Sequence, residues 1–124
     1  MPKPGLTQQE RVARSMSEKE LQDAIIELAE HLGWKVWHVR DSRTQMVEDM
    51  PDLVLRRPAH MEETTPGVVK VSMGQLEWWE LKTELRKVTP GQEIAMQELR
   101  DCYQVVRVVR PSDWLNGNVE KWLR

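Results

Sequence analysis

Between Ser17 and Lys82 the apolar pattern changes period once, and that change limits the fold class more than any other feature of the chain. Leu21, Ile25, Leu28 and Leu32 recur three and four residues apart, the stripe of an amphipathic helix running from Ser17 to Leu32. Gly33 follows, the residue type that tolerates the left-handed conformation at a helix C-terminus. Short runs rich in β-branched and aromatic residues then take over: 34–40, 52–56, 68–71 and 76–82. Residues 41–50 are polar and predict a loop, Pro58 to Gly67 a turn-rich excursion, and Met73-Gly74 a turn. Thr89-Pro90-Gly91-Gln92 predicts a helix start, with Thr as N-cap, Pro in the first turn and Gln at the third position. That helix reaches about Cys102, Tyr103 to Val109 reads as another strand, and Ser112 is placed to cap a final helix. The order α-β-β-β-β-α-β-α implies an α/β sandwich built on one small mixed β-sheet flanked by helices.

A chain of 124 residues is one domain's length. Residues 1–16 read as an N-terminal extension, in which Thr7-Gln8-Gln9-Glu10 can open a short helix, and residues 17–124 as the domain itself. A 40% hydrophobic and 31% charged composition argues against wholesale disorder. No apolar run approaches the roughly 20 residues that span a bilayer, and Met1-Pro2-Lys3-Pro4-Gly5 leads into no signal-peptide stretch. The single cysteine, Cys102, can make no internal disulfide, which fits a cytoplasmic location. The formal charge of −2 gives no global sign of nucleic-acid binding. Acid is concentrated at Glu18, Glu20, Asp23, Glu27 and Glu30, while Arg40, Arg43, Arg56, Arg57, Lys82, Arg86 and Lys87 leave room for a local basic face.

Three pieces of the sequence carry chemistry together. Pro51-Asp52 stands at the mouth of one strand, and Glu80-Leu81-Lys82 lies inside another. Strand alternation puts Glu80 and Lys82 on one face and Leu81 on the other, in the core. Glu18 lies three residues before Leu21, on the stripe that turns to the sheet. Two carboxylates and a lysine aimed at one point suit metal-assisted phosphodiester hydrolysis. Mg²⁺ favours carboxylate, carbonyl and water oxygens. Such a metal polarises the phosphate and acidifies a water, while an ammonium orients that water or offsets developing charge.

These residues resemble the PD-(D/E)xK nuclease superfamily, and within it the VRR-NUC family of small stand-alone phage and bacterial proteins. The resemblance spans about residues 17–115. It rests on Glu18-Lys-Glu-Leu-Gln22, Gly33-Trp34, His38 with Ser42, Pro51-Asp52-Leu53, Glu80-Leu81-Lys82, Thr89-Pro90-Gly91-Gln92 and Arg110-Pro111-Ser112-Asp113-Trp114. It implies a restriction-endonuclease-like core and a DNA endonuclease using Mg²⁺, or Mn²⁺ in its place. Asp52 and Glu80 would ligate the metal with the Leu81 carbonyl, Lys82 would serve the attacking water, Glu18 would complete the site, and Gln92 would support it. Branched DNA such as four-way junctions, a homodimer, and a phage or host replication or recombination partner are the expected associates. Two features depart from the family: Met50 precedes Pro51, and the long stretch between Asp52 and Glu80 suggests an inserted hairpin around residues 58–74.

Each residue has a plainer reading beside the functional one. Asp52 and Glu80 can be solvated carboxylates, although glutamate is depleted in strands and Trp78, Trp79 and Leu81 mark this strand as buried. Ser17 with Glu20, or Ser15 with Glu18, makes a capping box, so the helix carboxylate of the site is Glu18 or Glu20. Gln92 is also the capping partner of Thr89. Arg40, Ser42, Arg43, Arg86 and Lys87 are candidate DNA contacts or ordinary polar loop residues. His38 reads as a packed strand residue, and the six tryptophans mostly as core. A nucleic-acid-binding or assembly subunit that keeps the fold without turnover is the competing function.

Overall fold

The computed structural model describes residues 5–39 and 49–124. Two helices come first, α1 (Gln8–Ser15) and α2 (Glu18–His31), followed by strands β1 (Lys35–His38), β2 (Leu53–Arg57), β3 (His60–Thr65), β4 (Val68–Ser72) and β5 (Gln75–Leu81). Then come α3 (Pro90–Asp101), β6 (Val105–Val109), α4 (Pro111–Leu115) and α5 (Asn118–Leu123). Four strands form a mixed sheet in the order β1-β2-β5-β6, antiparallel except for the parallel pair β5–β6. A parallel pair needs a crossover, and α3 supplies it. The molecule is thus α/β, a small mixed sheet flanked by helices.

One sheet face is the core. Leu53, Leu55, Trp79, Leu81 and Val109 pack there against Leu21, Ile25 and Ala29 of α2 and Val119 and Leu123 of α5. Leu28 and Leu32, expected on the same stripe, sit half-buried at its margin. Trp34 closes the core through Nε1, which donates to the Leu123 carbonyl at 2.7 Å, and Trp79 meets Trp122 edge-on at 5.9 Å. Buried Glu77 belongs to this face, where it accepts from Trp79 Nε1 at 3.0 Å and Arg107 Nε at 2.7 Å. Helix α1 is capped by Thr7, touches α4 and buries Ala13. No helix among the described residues is long and apolar enough to cross a membrane.

Several sequence expectations need correction. The excursion from Pro58 to Gly67, read as turns, contains a strand, β3, which with β4 forms the inserted hairpin expected around residues 58–74, paired in the register of β2 and β5: Arg57 faces Gln75, and His60 faces Ser72. The pair is therefore an outward continuation of the β2–β5 hairpin, interrupted where Pro58 has no N–H to give. Glu62-Glu63-Thr64-Thr65 lacks the apolar alternation that marks a half-buried strand, because both faces of this arm are exposed. Its tip turns at Pro66-Gly67, with Gly67 at φ +83°.

Helix α3 is followed by a strand that begins at Val105 rather than Tyr103. Tyr103 adopts φ +61°, its N–H donates to the Arg100 carbonyl, and the Gln104 N–H returns to Leu99, the hydrogen bonds that close a helix C-terminus. Gly33 does the same for α2 at φ +90°, the Trp34 N–H returning to Ala29. β1 is likewise shorter than residues 34–40, spanning Lys35–His38. Nor does Ser112 cap a single last helix. Proline favours the first helical position, so Arg110 becomes the N-cap ahead of Pro111, and the left-handed Gly117 divides α4 from α5. Trp37 is exposed rather than core.

Candidate active site

The face of the sheet away from α2 carries the polar cluster. The pairing of Leu53 with Trp79, continued by one residue, sets Asp52 opposite Glu80 on adjacent strands. Side chains so placed have Cβ atoms about 4.5–5.5 Å apart. All the charged groups here are withdrawn from solvent: Asp52 is 9% exposed, Glu80 1% and Lys82 3%. Carboxylates and lysines are almost never this buried unless paired.

Local sequence explains each position. In the same register the residue opposite Leu81 is Pro51, which has no N–H, and the strand pairing stops there. The Leu81 N–H is taken instead by Asp52 Oδ2 at 2.8 Å. That bond fixes the carboxylate. Lys82 holds its own backbone by donating its N–H to the Val109 carbonyl at 3.0 Å, and its Nζ lies 3.7 Å from Glu80 Oε1. The alternation expected from the sequence therefore puts Glu80 and Lys82 side by side, with Leu81 fully buried in the core behind them.

Gln92 enters from α3 with both ends of its amide engaged. Its Oε1 accepts from the Thr89 N–H at 3.1 Å, completing the capping box, and its Nε2 donates to Glu80 Oε1 at 3.2 Å. The capping reading and the site reading of Gln92 thus hold at once, through different atoms. Gly91 stands next to it, where a Cβ would meet the Asp49 carboxylate and make that side chain shift. The loop from Thr83 to Arg86, which leads from Lys82 toward α3, is clamped by Arg110. Its guanidinium donates to the carbonyls of Thr83 at 2.8 Å and Arg86 at 2.6 Å. Neither Asp49 nor Arg110 carried a signal of this role in the sequence, because both contacts join segments far apart in the chain.

Ser17 caps α2 with Glu20 as its box partner, so Glu20 is accounted for structurally. Glu18 is the first residue of α2 and is half-buried. Among the described residues no three His, Cys, Asp or Glu side chains gather into a metal-holding group. Arg86 and Lys87 are exposed on the loop before α3. Arg40, Ser42 and Arg43 lie outside the described residues.

The donor set is of the kind that hard divalent cations accept. Two neighbouring carboxylates cannot form a full protein cage, but Mg²⁺ is commonly held by one or two carboxylates with waters and substrate phosphate oxygens. No protein-family model, curated protein or solved structure matches this chain.

Proposed function

We propose that this chain is a Mg²⁺-dependent endonuclease that hydrolyses DNA phosphodiester bonds on a PD-(D/E)xK core of the VRR-NUC type, Mn²⁺ serving in place of Mg²⁺. The observation that carries the reading is the burial of Asp52, Glu80 and Lys82 on one face, across two adjacent strands. Asp52 and Glu80, with the Leu81 carbonyl, would hold the metal, which when bound supplies Lewis acidity to the phosphate and to a water.

The remaining work falls to the chain itself. The Leu81 N–H fixes the Asp52 carboxylate, so this group is oriented before substrate arrives. Gln92 Nε2 does the same for Glu80, with α3 as its rigid base. Lys82 Nζ donates a hydrogen bond to the attacking water or to a phosphate oxygen, and its positive charge offsets the charge that grows there. Burial strengthens each of these interactions by excluding competing water. Branched DNA and a homodimer belong to the same proposal.

The second reading, a nucleic-acid-binding subunit without turnover, draws on the same hydrogen bonds, since Asp52–Leu81 and Gln92–Glu80 also serve as structural links. Labelled four-way junction, flap and linear duplex DNA, incubated with Mg²⁺, Mn²⁺ or EDTA, separates the two. Cleavage that needs metal and disappears in both Asp52→Asn and Lys82→Met is expected. Undiminished cleavage in both variants would sink the assignment, and binding without cleavage by the wild-type protein would favour the subunit.

A further inference from the structure

The sheet face that bears Asp52 and Glu80 extends past them into a second feature, which the catalytic reading does not use. Asp52, Val54 and Arg56 alternate onto this face of β2. The β1 register places Trp37 opposite Val54 and Lys35 opposite Arg56, so both join it. On the other side of β2, Leu76 faces Arg56. At the far edge of the sheet α3 packs on β6, whereas Trp37 on β1 is 49% exposed.

Trp37 is unusual among the six tryptophans: Trp34 and Trp79 are buried, and Trp78, Trp114 and Trp122 are half-buried. The Arg56 guanidinium lies over the Trp37 ring at 4.3 Å from its centroid. Arg56 Nε is itself buried and has no hydrogen-bond partner among the described residues. Beside it opens a cleft of about 260 Å³ lined by Lys35, Arg56, Arg57, Gln75 and Leu76, among others, with no acidic side chain in its wall. A chain of net charge −2 thus sets two cations, Lys35 and Arg56, and an exposed indole on the sheet face of its buried carboxylates, while Arg57 turns to the other face over Trp34.

We infer that Lys35, Trp37 and Arg56 form a subsite for an unstacked nucleotide of a single-stranded segment next to the scissile phosphate. The inference deepens the nuclease reading and rests on it for the location of the scissile phosphate. A base stacks on Trp37, and the following phosphates lie against Lys35 and Arg56. Aromatic side chains beside a cationic groove hold single strands this way, because every base has a π-face while duplex bases are already stacked on each other. The spacing agrees: Trp37 is two residues along and one strand across from Asp52, roughly 8 Å by strand geometry. An unstacked strand spans that distance in one or two nucleotides, since its spacing exceeds the about 3.4 Å rise of stacked duplex. Arginine's bidentate fork and weak hydration suit it to be both ring partner and phosphate contact. The substrate class follows: DNA with an unpaired stretch at the cut, such as a flap or an open junction, in preference to continuous duplex.

The test uses the full chain carrying Asp52→Asn, so that binding is read without cleavage. Fluorescence anisotropy is measured with a single-stranded oligonucleotide, a flap and the matching blunt duplex. Trp37→Ala is expected to weaken single-strand and flap binding about tenfold and duplex binding far less, the loss of one stacked base. Trp37→Phe should recover most of it, and Lys35→Ala with Arg56→Ala should flatten the salt dependence. Because Trp37 is exposed, thermal melts of the Trp37 variants should match the parent. Equal affinity of parent and Trp37→Ala for all three DNAs, or an equal loss on duplex, would overturn the subsite. Cleavage assays with aspartate restored at position 52 keep the two proposals apart. Cleavage of flaps undiminished by Trp37→Ala removes the subsite and leaves the nuclease. Trp37-dependent binding with no cleavage under any metal removes the nuclease and leaves the subsite.

Discussion

Replacing Gln92 by glutamate separates the two tasks of one side chain and tests whether the cluster takes up a cation. A carboxylate at position 92 keeps the acceptor for the Thr89 N–H and so preserves the capping box, in which glutamate is a favoured partner. It replaces the donor to Glu80 Oε1, now at 3.2 Å, by a second negative oxygen. At an effective dielectric of about 20, two charges at this separation repel by about 5 kcal/mol. The lost hydrogen bond to a charged acceptor adds about 1.5–3 kcal/mol. The variant has a less costly alternative. Protonating a carboxyl of ordinary pKa near 4.3 at pH 7 costs about 4 kcal/mol and restores a hydrogen bond, so about 4 kcal/mol is the ceiling of the loss. Urea unfolding followed by tryptophan fluorescence should show a deficit of about 3–4 kcal/mol in EDTA. Saturating Mg²⁺ or Mn²⁺ should narrow this gap to wild type, because a bound cation offsets the repulsion of the new carboxylate pair, which wild type lacks, over and above the about 2.7 kcal/mol that a ligand at 100 times its dissociation constant adds to either folded state. Gln92→Ala loses both the cap and the bond and should show no such rescue. An equal deficit for Gln92→Glu with and without metal would refute the claim that this cluster holds a cation. A deficit below about 1 kcal/mol in EDTA would refute the contact itself.

Asp52→Asn keeps an oxygen to accept the Leu81 N–H while removing the charge; circular dichroism and melting should be near wild type, and metal-dependent cleavage should be lost. Glu77→Ala strands the indole N–H of fully buried Trp79 and breaks a pair whose arginine is 31% exposed, so urea unfolding should show a loss of about 2–3 kcal/mol, the arginine's share being reduced by solvent. Glu77→Gln, which retains an acceptor for the indole, should lose less than half as much. Tyr103→Gly relieves a positive φ at a residue that is 96% exposed and should raise the melting midpoint, by about 1 kcal/mol in stability, whereas Gly33→Ala at φ +90° should lower it.

The sequence by itself determined what is local. The spacing of Leu21, Ile25, Leu28 and Leu32 specified α2, Thr89-Pro90-Gly91-Gln92 specified the start of α3, and alternation alone put Glu80 and Lys82 together with Leu81 behind them. Periodicity and capping act over three or four residues, so they are written in adjacent letters. The sequence misled where a local signal was weaker than its surroundings. Tyr103 is a good strand residue by composition, yet closing α3 required a left-handed residue at that position. The polar β3 offered no alternation to detect, because neither of its faces is buried.

Only the tertiary structure decided which distant groups meet. A two-residue period says which face a side chain takes, but not which residue stands across from it. The β2–β5 register brought Asp52 opposite Glu80, and the end of the pairing at Pro51 let the Asp52 carboxylate take the Leu81 N–H. The packing of α3 on β6 accompanies the reach of Gln92 to Glu80, twelve residues away in the chain. The β1–β2 register set Lys35 and Trp37 on the face of Arg56, where cation and indole stack. Register and packing are settled by burying the apolar face of the whole sheet at once, so no short window of sequence contains them.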